Sequence, residues 1–139
     1  MKKIEYRKLK KYKYGLTKQY KVMLPLKLDN DVFSKWIRLS ADGELVARKG
    51  YCWDGASGPT IDSKSCLRAS LVHDCLYQLM REELISVNYK ATADTIFKDL
   101  LIEDGMSKWR AKLWYMAVSK FGKKYMNVGT KQDKIYTAP

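Results

Sequence analysis

Short apolar segments that alternate with polar residues mark the first third of the chain and predict β-strands. Residues 20–24 and 36–40 have this pattern, and a return strand is expected over about 44–49. Before that return strand lies Ala-Asp-Gly-Glu at 41–44, in which Asp-Gly accepts the positive φ of a tight hairpin turn. Pro25 ends or edges the first strand, because proline donates no hydrogen bond to a sheet. The pattern predicts a small antiparallel sheet.

From Asp62 onward the apolar residues recur every third or fourth position, which is the spacing of a helix. A first helix is predicted over about 65–82. A second is predicted over about 91–103 and stops at Gly105, a residue type that favours the end of a helix. A third is predicted over 107–122. Strands followed by helices, without alternation between them, indicate an α+β fold.

The length of 139 residues suits one domain. We expect a single α+β domain over 1–139, with a small N-terminal antiparallel sheet, three helices, a basic segment at 1–12 and a basic arm at 123–139. No apolar run approaches the roughly 20 residues of a membrane span, and no secretory signal follows the basic N-terminus. These features predict a chain made in the cytoplasm. Its three cysteines, an odd number without framework spacing, predict thiols in a reducing compartment.

The positive charge of the chain is concentrated at its two ends. The formal net charge is +12. Residues 1–27 carry ten Lys/Arg and one acidic residue, residues 108–139 carry eight and one, and the middle of the chain carries nine and thirteen. Basic ends attract phosphate, in nucleic acid or in anionic lipid; alternatively, they only keep the chain soluble. The only support for DNA binding is the positive charge, because the sequence contains no motif that reads DNA bases. Nucleic acid is therefore not expected as a specific ligand.

Aromatic and basic residues interleave at 6–14 and again at 108–115. Such interleaving is typical of contact with phosphates, but apolar residues at helical spacing are more often part of a core. For the third helix we expect the apolar residues in the core and the lysines on the surface, namely Leu113, Met116 and Val118 inside and Lys108 and Lys112 outside.

The single histidine of the chain, His73, is the first candidate for catalysis. Asp74 follows it on the first predicted helix, and Tyr77 lies one turn further on and can reach back toward both. If the first two helices pack antiparallel, Asp94 of the second could face His73. A carboxylate on one imidazole nitrogen fixes the tautomer and leaves the other nitrogen as a base. The same residues could instead be ordinary helix polarity.

Asp74 lies near a glycine-containing loop in the sequence and is the candidate metal ligand. Carbonyl oxygens of a loop with Gly55 and Gly58, together with one carboxylate, are hard ligands suited to calcium. A bound cation could polarise an ester carbonyl while His73 activates water. The glycines could alternatively only shape a turn.

The cysteines allow other readings of the same region. A zinc site is disfavoured, because Cys66 and Cys75 are nine residues apart on one helix and point to opposite sides. A Cys75 nucleophile is disfavoured because His73 lies two residues away, on another face of the helix. A disulfide between Cys52 and Cys66 is expected only in an oxidising compartment.

The motifs in this region resemble two known families. The run from Tyr51 through Asp54-Gly-Ala-Ser-Gly-Pro59 to His73-Asp-Cys-Leu-Tyr77, followed by Ala-Asp94-Thr-Ile-Phe, resembles the calcium loop and catalytic helices of phospholipases A2, especially the disulfide-free type in parvovirus capsid proteins. Residues 45–122 also resemble a family of uncharacterised phage and prophage proteins, a domain of unknown function with the pattern Asp-Gly-Ala-Ser-x-Pro, His-Asp-x-Leu-Tyr, Arg and Ala-Asp-x-x-Phe.

The resemblance implies a role for each matching residue. His73 would be the general base, with Asp94 orienting it and Tyr77 supporting both. Asp74 would bind calcium with the loop residues, for which the matching positions are Tyr51, Trp53, Asp54 and Gly55. The phage pattern adds Ser57, Pro59 and Arg81.

Two functions from different classes follow from these observations. The first is a phage-encoded, phospholipase-A2-like, calcium-dependent ester hydrolase that acts at a phospholipid membrane surface. The second is a non-catalytic structural or host-interaction module that binds a partner, such as a phage virion protein, through its basic ends. Either would be made in the host cytoplasm, and could be incorporated in the virion.

Overall fold

The computed structural model describes residues 4–8, 14–53 and 64–127, which form two compact units. The first unit contains strands, and the second contains helices. Small antiparallel sheets followed by three helices make this an α+β protein, as the sequence predicts. The predicted loop at 54–59, most of the basic segment at 1–12 and most of the basic arm at 123–139 lie outside the described residues.

Seven short strands form two antiparallel sheets in the first unit. The first sheet has the strand order β1-β2-β7 and the second has the order β3-β6-β5-β4. The strands are β1 (Tyr6–Lys8), β2 (Tyr14–Leu16), β3 (Tyr20–Met23), β4 (Val32–Phe33), β5 (Ile37–Leu39), β6 (Glu44–Ala47) and β7 (Cys52–Trp53). The three strands expected from the sequence correspond to β3, β5 and β6.

Side-chain alternation sets the register of the larger sheet. Ile37 and Leu39 of β5 are buried and Arg38 between them is exposed, so one face of this strand lies in the core. Leu39 pairs directly with Leu45 of β6, and both are fully buried. A shift of one residue would turn these leucines toward solvent, which is why the apolar pattern specifies this pairing.

The turn between β5 and β6 requires glycine at position 43. Gly43 has a φ of 104° and donates its N–H to the carbonyl of Ser40. A Cβ at this position would lie 2.4 Å from the carbonyl oxygen of Leu24 and 2.6 Å from that of Leu26. Both the backbone conformation and the lack of space exclude a side chain at this position. The antiparallel pairing of β5 with β6 around this turn confirms the hairpin predicted from Asp-Gly.

The helices are α1 (Lys64–Arg81), α2 (Lys90–Glu103) and α3 (Lys108–Asn127), with one 3₁₀ turn at Val87–Tyr89. Both α1 and α2 end in the same hydrogen-bond pattern. Glu83, with a φ of 61°, and Gly105, with a φ of 108°, each adopt a left-handed conformation just after the last turn. The next residue in each case bonds back to the fifth carbonyl before it, which closes the helix. Gly105 was expected to stop α2, whereas Glu83 gave no such signal.

Arg68 joins the beginning of α1 to the end of α2. Its guanidinium donates two hydrogen bonds to Asp104, of 3.0 and 2.9 Å, and one of 3.0 Å to Glu103. The Arg68 side chain is buried, and bidentate pairing of this kind satisfies a charge that would otherwise be costly to bury. The interaction fixes the two helices against each other at one end.

Two expectations for α3 are wrong. Leu113 and Met116 are exposed and Val118 is only half-buried, because the face of α3 that packs in the core carries Ala111 and Trp114 instead. The helix also continues past Gly122 to Asn127, since one glycine inside a helix costs only about 1 kcal/mol relative to alanine. Lys108 and Lys112 are exposed as expected. None of the described helices is both long and apolar enough to cross a membrane.

Candidate active site

His73 of α1 and Asp94 of α2 meet inside the helical unit. The Nε2 atom of His73 lies 2.8 Å from Oδ1 of Asp94. Asp94 is 1% exposed, and the His73 side chain retains 9% exposure. The sequence allowed this contact only if the segment between α1 and α2 folds back, and the turn that begins at Glu83 provides that reversal.

Three side chains donate hydrogen bonds to the Asp94 carboxylate. His73 and the hydroxyl of Tyr77, at 2.5 Å, both bond Oδ1, and the ammonium of Lys90 bonds Oδ2 at 2.7 Å. Lys90 also donates to the backbone carbonyl of Ser119 on α3, at 3.1 Å. The carboxylate therefore joins residues of all three helices.

Helix geometry explains how these side chains converge. His73 and Tyr77 are four residues apart on α1, and Lys90 and Asp94 are four residues apart on α2. Residues at this spacing lie on one face of a helix, one turn apart. Each helix thus presents two polar groups to the other along one line.

The Asp94 carboxylate is held in its ionised form. Burial alone would raise the pKa of Asp94, but the hydrogen bonds from His73, Lys90 and Tyr77 outweigh burial, and the net pKa is lowered. Since all three partners stabilise the charged form, Asp94 acts as a hydrogen-bond acceptor at neutral pH.

His73 is held in its neutral form. Burial lowers the pKa of His73 because desolvation penalises the imidazolium; the hydrogen bond and charge of Asp94 oppose this but do not reverse it. A neutral imidazole facing an ionised carboxylate must donate from Nε2, which leaves the lone pair on Nδ1. Among the described residues, Nδ1 has no hydrogen-bond partner.

Tyr77 and Arg81 complete the electrostatic surroundings on α1. Burial, followed by the hydrogen bond to Asp94, raises the pKa of Tyr77, so that its hydroxyl remains a donor. Arg81 lies two turns beyond His73, and its charge contributes to lowering the pKa of that imidazole. Asp74 is half-buried, and its charge helps to raise the pKa of Tyr77.

Aromatic rings fix the plane of the imidazole. The ring centroids of His73 and Tyr77 are 4.0 Å apart, and those of His73 and Phe97 are 4.9 Å apart. Phe97 in turn contacts the edge of Trp114 on α3 at 6.5 Å. Packing on two sides restricts rotation of the imidazole, so the hydrogen bond to Asp94 is maintained.

The predicted calcium ligands belong to different parts of the chain. Asp74 is on α1 in the helical unit, whereas Tyr51 and Trp53 are in the sheet unit, where the Tyr51 carbonyl accepts a hydrogen bond from the amide of Leu16. Asp54 and Gly55, like Ser57 and Pro59, lie outside the described residues. Within the described ranges no group of three or more His, Cys, Asp or Glu side chains could hold a metal ion. All three cysteines are buried as thiols.

Two residues of the site, Lys90 and Phe97, were not among the predicted site residues, although Phe97 belongs to the Ala-Asp-x-x-Phe motif. Each carried a usable signal relative to Asp94: Lys90 precedes it by four residues and Phe97 follows it by three, so both lie on the same face of α2. The lysine was overlooked because lysines are usually exposed, whereas the side chain of Lys90 is 18% exposed.

Taken together, the arrangement can accept one proton at a defined position. The Nδ1 lone pair is the base, the ionised carboxylate on Nε2 stabilises the imidazolium that would form, and Tyr77 and Lys90 hold that carboxylate in place. Proton abstraction from water or from an alcohol is the chemistry that such a pair supports.

Comparison with known proteins gives one match. Residues 31–118, which contain every predicted site residue, match the model of a family described as protein of unknown function (DUF1353). No curated protein and no solved structure matches the chain. The match agrees with the predicted domain of unknown function and carries no information on phage origin or on a relation to phospholipases A2.

Proposed function

The chain belongs to the DUF1353 family of proteins of unknown function, and we propose from its own geometry that it is a hydrolase of phospholipid esters. The observation that supports this most is the buried His73–Asp94 pair, in which one imidazole nitrogen is bound to an ionised carboxylate and the other is not bonded within the described residues. The order of motifs along the chain, which resembles that of phospholipases A2, suggests the ester class.

In the proposed reaction, Nδ1 of His73 takes a proton from a water molecule as the water oxygen attacks the ester carbonyl. The imidazolium that forms carries its charge next to Asp94, at 2.8 Å. It then returns the proton to the departing alkoxide, so that the products are a carboxylic acid and an alcohol. Because the pKa of His73 is lowered, the neutral base is available at neutral pH.

Calcium is the cofactor proposed for this reaction. When bound, it would polarise the ester carbonyl and stabilise the oxyanion. Asp74, half-buried on α1 beside the His73–Asp94 pair, would hold it together with oxygen atoms of the loop at 54–59. Within the described residues no group of three or more His, Cys, Asp or Glu side chains could hold the ion, and calcium takes six to eight oxygen ligands, so this part of the proposal depends on that loop.

The test is release of acid from a short-chain phospholipid by the full-length protein, with calcium and with a chelator. We expect hydrolysis by the wild type, background rates for His73→Ala, and a loss of about 10²- to 10⁴-fold for Asp94→Asn. Asp99→Asn is the matched control, because it makes the same change at an exposed position on the same helix. No hydrolysis by the wild type, or equal hydrolysis by His73→Ala, would reject the proposal.

The calcium component has a separate readout. Calorimetric titration of the wild type with calcium should give a binding isotherm, and Asp74→Asn should abolish it together with hydrolysis. If hydrolysis continues in the presence of the chelator, the reaction does not require the metal. If calcium binds equally well to Asp74→Asn, the metal lies elsewhere.

A second candidate function rests on the distribution of charge. Both ends are strongly basic while the middle, which contains the His73–Asp94 pair, is slightly acidic. A phage-encoded module that binds a virion protein through these ends would need no catalysis. Stable association with virion particles that is unaffected by His73→Ala, together with absent hydrolysis, would favour this function over the hydrolase.

A further inference from the structure

One face of α3 carries an apolar stripe that is turned away from the core. Trp109 is 67% exposed, Leu113 56% and Met116 54%. At about 100° per residue, these three side chains lie within about 60° of one another around the helix. The buried residues Ala111 and Trp114 lie on the opposite side, where Trp114 contacts Phe97 of α2. We call these three exposed residues the α3 stripe.

Cations surround the α3 stripe on both sides. Lys108 and Lys112 lie on one flank, Arg110 lies on the other, and Lys120 continues the line of the stripe along the helix; all four are exposed. The α3 sequence contains six Lys/Arg and no acidic residue. All the charged side chains of this helix are therefore positive, so none of them can form an ion pair with another side chain of the same helix.

We propose that the α3 stripe docks on an anionic phospholipid surface. A helix that lies flat with its apolar side chains in the boundary between headgroups and acyl chains brings flanking lysines and arginines level with the phosphates. Tryptophan is favoured at that depth because its ring is apolar and its N–H is polar. The long side chains of Lys112 and Arg110 can keep their charges among the headgroups while their stems cover apolar surface.

The distribution of charge favours lipid over nucleic acid. A nucleic-acid surface would place its cations at the centre of the contact, on the phosphate backbone. Here the centre of the face is apolar and the cations form its borders. The proposal extends the proposed function, on which the choice of phospholipid rests in part, and it locates the membrane contact on α3.

The test is cosedimentation of the full-length protein with two kinds of vesicle, one of phosphatidylcholine alone and one containing an equal part of phosphatidylglycerol. We expect binding to the anionic vesicles and a blue shift of tryptophan emission. Of the four tryptophans, Trp109 is the exposed one, while Trp53 and Trp114 are buried and Trp36 is half-buried. The blue shift should therefore be lost in Trp109→Ser.

Two sets of variants separate the apolar and the charged contributions. The triple substitution Trp109→Ser, Leu113→Ser, Met116→Ser should weaken binding at least about tenfold. Its control is Met23→Ser, Phe33→Ser, which removes two similarly exposed apolar side chains from the sheet unit and should leave binding unchanged. Lys112→Gln, Lys120→Gln should weaken binding about fivefold for each lysine, in contrast to Lys21→Gln, Lys49→Gln on the sheet unit. Far-UV circular dichroism of each variant checks folding.

Several outcomes would overturn the proposal. Absence of wild-type binding to anionic vesicles would do so, as would equal binding of the triple variant, or equal binding to both kinds of vesicle. Tight binding to duplex DNA that the triple variant retains would assign the basic face to nucleic acid instead.

Docking and catalysis can fail separately. His73→Ala should bind vesicles like the wild type. If vesicles are bound but no ester is hydrolysed, docking stands and the hydrolase fails. If a monomeric short-chain phospholipid is hydrolysed but no vesicle is bound, the hydrolase stands and docking fails.

Discussion

At the level of single residues, the charge of Asp94 is the feature on which the site depends. A carboxylate that is 1% exposed cannot be hydrated, and an ion without partners in such a place would take up a proton instead. Three donors prevent this, one from each of His73, Tyr77 and Lys90. Each of these residues therefore contributes both to the stability of the fold and to the chemistry of the site.

Acid should destabilise the protein below pH 6.5 because of His73. Its folded-state pKa lies below the ordinary value of 6.5, so the unfolded chain binds the proton first. The neutral imidazole therefore contributes to the free energy of unfolding above pH 6.5, and this contribution is lost progressively as the pH falls toward the lowered pKa. Urea unfolding on either side of pH 6.5, without calcium, measures this slope. The pKa of Asp94 is also lowered, from its ordinary value of 3.8, so protonation of this carboxylate should destabilise the protein further below pH 3.8.

The control for this prediction is His73→Gln, which removes the only imidazole in the chain. The slope of unfolding free energy against pH near 6.5 should flatten in this variant. A wild type that becomes more stable as the pH falls through 6.5 would show that the imidazolium, and not the neutral form, is favoured by the fold.

Lys90→Met should destabilise the protein by about 2–3 kcal/mol. Methionine keeps most of the stem of lysine but donates to neither Asp94 nor the carbonyl of Ser119, at 2.7 and 3.1 Å in the wild type. Lys98→Met is the matched control. Lys98 also reaches α3, where it lies over the ring of Tyr115 at 5.2 Å, a contact worth about 0.5–1 kcal/mol. If Lys98→Met lowers the free energy of unfolding as much as Lys90→Met does, the buried carboxylate of Asp94 has no special need for the lysine.

At the level of secondary structure, two glycines separate the effect of backbone conformation from that of space. Gly43 and Gly105 have nearly the same φ, 104° and 108°, but a Cβ at Gly105 would meet nothing within 4 Å. Gly105→Ala should therefore cost only the conformational strain, about 1–2 kcal/mol. Gly43→Ala adds a collision with two carbonyl oxygens and should cost clearly more. Urea denaturation of both variants measures the difference, and equal losses would show that the turn moves to accommodate the methyl group.

The elements that could be predicted are those in which local signals agree with each other. In the hairpin, Asp-Gly and the flanking Leu39 and Leu45 indicate the same structure. In α2, the apolar spacing and Gly105 indicate the same end. The two-residue strands β4 and β7 contain too few positions to show alternation. Their pairing is set by neighbours that are distant in the sequence.

The error on α3 has a physical reason. Leu113 and Met116 are at helical spacing, and so are Ala111 and Trp114, so the sequence contains two apolar lines on one helix. The spacing of apolar residues shows that a helix has an apolar face, but where there are two such faces it does not show which one packs in the core. That choice depends on α2, where Phe97 provides the edge contact for Trp114. The second line is left exposed, and it is this line that carries the proposal for lipid docking.

At the level of the whole molecule, the site could be predicted in part. His73, Tyr77 and Asp94 are brought together as the sequence suggested, because a base, a carboxylate and a tyrosine at these spacings are informative as a set. Lys90 was missed, because its spacing of four residues from Asp94 shows that the two side chains share a face of α2 but does not show that the lysine is buried there. Burial is a property of the assembled helices, and it is what gives this lysine its role.

One of the two basic ends of the chain contains the α3 stripe. The basic segment 108–139 contains α3, and every acidic residue of the helical unit except Asp133 precedes that segment in the sequence. Within that unit, the arrangement places the proposed membrane contact on one helix and the candidate acid–base pair on the other two. Lys90, through the carbonyl of Ser119, links the two regions.

The hydrogen bond between Nε2 and Asp94 also determines the regiochemistry of chemical labelling. An electrophile small enough to reach the imidazole finds the lone pair at Nδ1 and a bound hydrogen at Nε2. Alkylation in the folded state should therefore give the Nδ1 isomer, whereas the unfolded chain should give both. Because the chain has a single histidine, the ratio of the two isomers in a peptide digest reports the integrity of the His73–Asp94 pair without any knowledge of the substrate.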